Sequence, residues 1–249
     1  MKRLIVNADD FGRTSGINRG IAFAHRTGIV TSATLMVNYA TAREAAELAG
    51  SCPRLGLGLH LALTGGVPTL PPEQVGSLVD SAGRLPAKPE GLERARPGEV
   101  LAEARAQVRR FREIVGRNPT HLDSHHHSHR LPVVLEAMVT LAGEEVLPVR
   151  GASPQMRDAL RASGVRTTDA FVESFYDEGA TLPGLLAIIG GLTGGTTELM
   201  CHPAYADPEL LATSSYAAER ERELSVLSSP EVLRAVRERE LELINFAEL

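Results

Sequence analysis

Apolar residues along this chain follow two alternating rhythms. Short unbroken apolar runs are each followed by a longer segment whose apolar positions recur every three or four residues. Arg3 to Ala8 is a run of the first kind and predicts a buried strand. It ends in Asn7-Ala8-Asp9-Asp10-Phe11-Gly12. Thr14 or Ser15 then offers an N-cap to a helix with Ile17, Ile21, Ala24 and Gly28 on one face. Thr31 to Val37 predicts the next strand, Thr41 to Gly50 the next helix, and Leu55 to Ala62 a third strand. This β-α-β-α-β order belongs to a parallel sheet or an α/β barrel.

The rhythm breaks between Gly65 and Gly98, where Pro68, Pro71, Pro72, Pro86, Pro89 and Pro97 fall. A loop of that length in a compact domain is usually functional or mobile, so it reads as a lid or rim insertion, with a β-hairpin around Ser77 to Leu85. Glu99 to Gly116 is then the clearest helix, with Leu101, Ala104, Val108, Phe111 and Val115 on one stripe and Gly116 as its stop. Strands follow at Pro119–Ser124, Leu147–Arg150, Val165–Thr168, Thr196–Cys201 and Leu241–Phe246. Helices follow at Leu131–Ala142, Pro154–Ser163, Thr181–Leu192, Tyr216–Leu227 and Pro230–Glu240. About seven β/α units without a linker predict one domain over residues 1–249, carrying a Pro-rich insertion at about 65–98.

Composition narrows the function classes. With 43% apolar residues the chain can bury a sizeable core. The net charge is −5 and no Lys/Arg block exceeds a pair, which argues against nucleic acid as a partner. Cys52 and Cys201 form no CxxC pattern and no disulfide framework, as in a reducing cytoplasm. The run Leu4-Ile5-Val6 is too short for a signal peptide, and no stretch approaches the ~20 apolar residues of a membrane span. A cytoplasmic protein with no membrane partner is expected. The charged helices after Tyr216 could pack in a homodimer or cover the barrel.

The densest chemistry is Thr120-His121-Leu122-Asp123-Ser124-His125-His126-His127-Ser128-His129, which holds five of the eight histidines. Neutral imidazole is the commonest metal-binding side chain. An expression tag would not sit inside the chain interrupted by Ser128, and a solvated turn would not be matched by chemistry at other strand ends. Asp9-Asp10, His60, Arg150 and His202 all fall at predicted strand ends, where α/β barrels build their sites. Adjacent Asp9 and Asp10 point differently, so one can bind a metal while the other faces a water as general base. His60 joins one Asp and one cluster histidine in an Asp/His/His set, which holds a divalent metal and leaves positions open. Within the cluster His125 is nearest the strand end and His129 is its rival. His127 could contact substrate, and Asp123 could orient a ligand imidazole. His202, held extended before Pro203, is a candidate general acid. Cys201 reads as a buried strand residue. No P-loop, GxSxG or GxGxxG motif is present.

Four blocks, Asn7-Ala8-Asp9-Asp10-Phe11-Gly12, Gly58-Leu59-His60-Leu61, Thr120 to His127 and Glu198-Leu199-Met200-Cys201-His202-Pro203, resemble the signature blocks of the YdjC-like carbohydrate deacetylases. These include chitooligosaccharide deacetylases and deacetylases linked to hopanoid synthesis. The resemblance extends to Ile29–Thr34 and to Tyr216, Arg220, Glu223 and Leu224. It implies an irregular (β/α) barrel of about seven parallel strands, related to the polysaccharide deacetylases. It implies removal of an N-acetyl group from an amino sugar or short chitooligosaccharide, with release of acetate. By position, Asp10, His60 and His125 would hold the metal, Asp9 would be the base and His202 the acid. Arg150 could orient Asp9. The family suggests magnesium, whereas the ligand set alone permits zinc. Two rival readings are a non-haem iron oxygenase, which predicts a β-rich jelly roll, and a non-catalytic carbohydrate-binding protein. A metal phosphoesterase is a third.

Overall fold

The computed structural model describes all 249 residues, Met1 to Leu249. Its central strand, β1 (Lys2–Phe11), is followed by α1 (Ser15–Thr27), β2 (Ser32–Leu35), α2 (Ala42–Gly50) and β3 (Gly56–Leu61). Next come α3 (Pro97–Val115), β4 (Leu122–Ser124), α4 (Pro132–Glu145), α5 (Pro154–Ala162) and β5 (Ala170–Val172). The chain ends with α6 (Leu182–Gly191), β6 (Gly195–Cys201), α7 (Pro208–Thr213), α8 (Ala218–Leu227), α9 (Pro230–Glu238) and β7 (Glu242–Leu243).

The strands lie in the order β4-β3-β2-β1-β6-β5, every pair is parallel, and β7 adds to the lower half of β1. An all-parallel sheet needs helices on its outer face, and the buried stripe of α1 (Ile17, Ile21, Ala24) supplies one. One apolar core runs continuously from β1 to α9. This architecture excludes a jelly roll. No helix is long and apolar enough to cross a membrane.

The sheet curls into a half-barrel. Its open side is laced by single hydrogen bonds. Leu122 N–H donates to Pro148 O at 2.9 Å, Arg150 N–H to Leu122 O at 3.0 Å, and Val149 N–H to Arg166 O at 2.9 Å. The predicted strand Leu147–Arg150 is therefore only the bridge Leu122–Val149, because Pro148 has no N–H to extend a ladder. The predicted strand Val165–Thr168 shifts to β5, because Asp169 holds Thr196 through both backbone and carboxylate at 2.8 Å and sets the register there.

The Pro-rich segment forms no hairpin. It folds into short 3-10 turns at Pro72–Gln74 and Pro89–Leu92, and the Asp80 carboxylate accepts from Ala82 and Arg84 N–H at 2.9 Å. Buried Glu103 of α3 accepts from Thr69 and Leu70 N–H at 2.7 and 2.9 Å, and Leu78, Leu85 and Leu92 enter the core. The segment is thus pinned as a rim.

The floor of the barrel is closed by the end of the chain. Only Glu242–Leu243 of the predicted strand Leu241–Phe246 pairs, because an Asn245–Glu248 capping box turns the backbone into a 3-10 turn. Phe246 then stacks on His121 with ring centroids 3.9 Å apart. Gly58 is required beside them, because a Cβ there would lie 2.5 Å from the His121 ring.

Candidate active site

At the carboxyl end of β1 the pairing with β2 slips between Ala8 and Phe11. Asp10 has a φ of 67°, in the left-handed region that costs a non-glycine residue strain. Asn7 and Asp9, two residues apart, share the barrel interior, and Asn7 Nδ2 donates to Asp9 Oδ1 at 2.8 Å. In a regular strand Asp10 would face the helices. The bulge instead turns it over the barrel mouth.

There Asp10 Oδ1 lies 3.0 Å from His125 Nδ1 and 3.4 Å from His60 Nε2. Asp10 Oδ1 is buried without a hydrogen-bond partner, while Oδ2 accepts from Arg220 at 2.5 Å. One ligand atom from each of Asp10, His60 and His125 lies within 4.8 Å of the others, close enough to hold a metal ion. His60 Nδ1 donates to Asp123 Oδ1 at 2.7 Å, which leaves Nε2 as the free ligand atom. Thr34 Oγ1 donates to the other Asp123 oxygen at 3.0 Å. Burial alone would push the His60 pKa down; Asp123, Asp10 and Asp9 override it and hold the ring up to about 10. A cation competes for that proton's place. Asp9, His60 and Asp123 form a second close group. Its carboxylates already share the Arg150 guanidinium, so Asp10, His60 and His125 fit a cation better.

Arg150 is completely buried. It grips both oxygens of Asp9 at 2.7 Å, reaches Glu198 Oε1 at 2.7 Å and lies 3.0 Å from Asp123 Oδ2. Burial would raise the Asp9 pKa, but Arg150 overrides it and keeps Asp9 well below the ordinary carboxylate range. Glu198 shares the same guanidinium less favourably, and burial pushes it up to about 7.

His202 follows β6 and faces the same mouth, with Nε2 4.0 Å from Asp9 Oδ2. Burial first, and Arg220 next, lower its pKa to about 3, so the ring is neutral at pH 7. Glu223 Oε2 accepts from the His202 backbone N–H at 2.5 Å, and Glu223 Oε1 accepts from the Tyr216 hydroxyl at 2.6 Å.

The other cluster histidines part from this centre. His126 and His127 adopt left-handed backbone, with φ of 53° and 50°. They lie in a short 3-10 turn, His125 to Arg130. His126 Nδ1 meets Thr64 Oγ1 at 3.1 Å, and His127 Nε2 lies 3.4 Å from Glu173. His129 turns inward to Ser124 Oγ at 2.5 Å and is not among the ligands. Cys201 is buried and its thiol meets Asn7 O at 3.4 Å. Asp9, Asp10, His60, His125, His127 and His202 all line one cleft of about 720 Å³.

Arg220 and Glu223 carried no role in the sequence reading. Both lie in α8, one of the charged helices expected to pack in a homodimer or cover the barrel. Their signal was positional: Arg220, Glu223, Leu224 and Leu227 share one helical stripe, and all four are buried.

A curled parallel α/β sheet with a buried Asp/His/His group over its strand ends defines a half-barrel with a candidate cation site at its mouth. The chain belongs to the YdjC-like protein family, whose model matches residues 3–238. It is 40% identical to a carbohydrate deacetylase of Thermoanaerobacter pseudethanolicus, over 99% of both chains. It is 37% identical to a chitooligosaccharide deacetylase of Yersinia pestis, over 98% of both. The crystal structure of an Enterococcus faecalis V583 protein, provisionally assigned to cellobiose-phosphate cleavage, superposes with a TM-score of 0.94 at 38% identity. That match covers 99% of this chain and 98% of the other. A family 4 carbohydrate esterase of Streptomyces lividans shares the fold, with a TM-score of 0.55 at 11% identity over 97% and 91% of the chains.

Proposed function

We propose that this chain is a cation-dependent carbohydrate deacetylase that hydrolyses the N-acetyl group of an amino sugar or short chitooligosaccharide. One observation carries the reading. A buried, unpartnered Asp10 oxygen faces two imidazole nitrogens, between an arginine-clamped Asp9 and His202. The names carried by the relatives, carbohydrate deacetylase and chitooligosaccharide deacetylase, supply the substrate class.

Asp10, His60 and His125 fit the cation, because the orphaned carboxylate oxygen and two close imidazoles are a donor set that a divalent ion completes. Bound there, the ion would polarise an acyl oxygen and acidify water. Asp9 is the base: Arg150 orients it and keeps it ionised. His202 is the proton donor to the departing nitrogen. It rests neutral, so the proton it gives is one first taken from water, and Asp9 Oδ2 lies 4.0 Å away to pass it on. Water adds across the C–N bond, leaving acetate and the free amine.

We read residues 1–249 as one deacetylase unit, with the Pro-rich segment as the rim of its cleft. The imidazole pair suits zinc, and the family resemblance favours magnesium. The test is acetate release from diacetylchitobiose and other N-acetyl sugars by metal-stripped protein, with magnesium, zinc, cobalt or manganese restored, beside Asp9→Asn. Release that requires a cation and vanishes in Asp9→Asn is expected. A protein that holds its cation but releases no acetate from any sugar overturns the substrate class.

A further inference from the structure

Tyr176 stands at the mouth beside His202, with ring centroids 5.4 Å apart. One face of Tyr176 stacks on Tyr216 at 4.1 Å, with the rings 14° from parallel. The residue is nevertheless 41% exposed and lines the cleft. An aromatic ring braced from behind and open in front is a platform for the apolar face of a sugar ring.

The brace does more than hold the ring. The Tyr216 hydroxyl accepts from Asp177 N–H at 2.9 Å, directly after the platform residue. The same hydroxyl donates to Glu223 Oε1 at 2.6 Å. Glu223 Oε2 holds the His202 backbone N–H at 2.5 Å, and Glu223 Oε1 lies 3.8 Å from His202 Nδ1. His202 Nδ1 is buried with no hydrogen-bond partner of its own. The carboxyl group facing that nitrogen is that of Glu223. Asp177 itself has a φ of 51°, so the turn is held in a strained conformation by contacts such as this one.

We propose that Tyr216 and Glu223 are positioning residues that tie a sugar-stacking platform, Tyr176, to the proton donor His202. The inference rests on the deacetylase reading and goes further into the same site. A sugar ring seated on Tyr176 presses on a turn whose backbone is bonded to Tyr216. Tyr216 shares the Glu223 carboxylate with His202. Seating the sugar and aiming the imidazole are then one event. Glu223 Oε1 is placed to stabilise the imidazolium that forms when His202 takes up a proton.

The test uses the full chain with its cation, and thermal melts first show that each variant folds. Tyr176→Ala is expected to raise KM for diacetylchitobiose about tenfold, a loss of binding worth roughly 1.4 kcal/mol, and to lower kcat as well, because the sugar no longer bears on the turn that reaches Glu223. Glu223→Gln is expected to lower kcat about 30-fold with KM nearly unchanged, within the range of proton-transfer catalysis. Glu223→Asp restores part of the loss. Tyr216→Phe keeps the stacked ring but breaks both hydroxyl bonds, and is expected to move KM and kcat together. Imidazole ¹⁵N shifts of His202 give an activity-free readout and should move in both Glu223→Gln and Tyr216→Phe. Unmoved His202 signals in Tyr216→Phe, or kcat unchanged in Glu223→Gln, overturn the coupling. Wild-type protein that releases no acetate overturns the deacetylase reading instead, and the His202 signals still judge the coupling.

Discussion

Asp123 Oδ1 accepts the Nδ1 proton of His60 at 2.7 Å, and this bond decides which nitrogen of His60 meets Asp10. The ring is fixed in one orientation, with Nε2 toward Asp10, before any cation arrives. Asp123 is itself fixed by Thr34 and Arg150, so the ligand is held by a network rather than by a single contact.

Removing that anchor should loosen the cation without removing a ligand. Asp123→Asn is expected to weaken cation affinity about 10- to 100-fold. Cobalt titration followed by its visible absorption, or competition with a chelating dye, measures this directly. Affinity equal to wild type would mean that packing alone orients His60.

Arg150 is the common counterion of Asp9, Asp123 and Glu198, and no water reaches it. Arg150→Met strands three buried carboxylates. The expected cost is about 3–5 kcal/mol in urea unfolding, the range for breaking a buried ion pair by deleting one partner. Arg150→Lys keeps the charge but loses the two-pronged grip on Asp9, so it should retain more stability than activity.

Acid should unfold this chain earlier than its net charge suggests, because several histidines are buried neutral. Burial, with Arg150 and Arg130, lowers His129 to about 3, against 6.5 when unfolded. Below pH 6.5 the unfolded chain takes up that proton and the native one does not. The stability this group allows is therefore fully present above pH 6.5 and falls as the pH drops toward 3. At pH 5 the linkage amounts to about 2 kcal/mol. Urea unfolding at pH 7.5 and 5.0 should show His129→Gln losing about that much less than wild type between the two conditions.

Gly58 leaves no room for a side chain against the His121 ring. Gly58→Ala should destabilise by roughly 1–3 kcal/mol, as overpacking does in a close-packed interior. If His121 can instead slide on Phe246, the melting temperature will stay within a degree or two of wild type.

The sequence was most legible where local chemistry and local geometry coincide. Asp9, Asp10, His60 and His202 stand at strand ends, and their periodic surroundings marked those ends before any coordinates did. Asp123 was legible as an orienting carboxylate because it precedes the histidine cluster within a strand. The residues alone left His129 as a rival to His125 and the resemblance favoured His125; in the turn that follows β4, His129 folds back onto Ser124. Arg220 and Glu223 were marked by the resemblance but given no role, because their partners, Asp10 and His202, lie far away in sequence. The strands near Leu147 and Val165 were overread. Their apolar runs are real, but Pro148 and the register set by Asp169 reduce them to single bonds across the open side of the sheet.

Asp10, His126 and His127 all sit in left-handed backbone around one opening. For residues with a side chain that conformation costs roughly 1–2 kcal/mol each. The mouth of the barrel is therefore where robustness and chemistry pull in opposite directions. Selection for heat tolerance alone would relax these three turns toward ordinary dihedrals. A chain so idealised would outlast this one on heating and would no longer aim its carboxylate at the imidazoles.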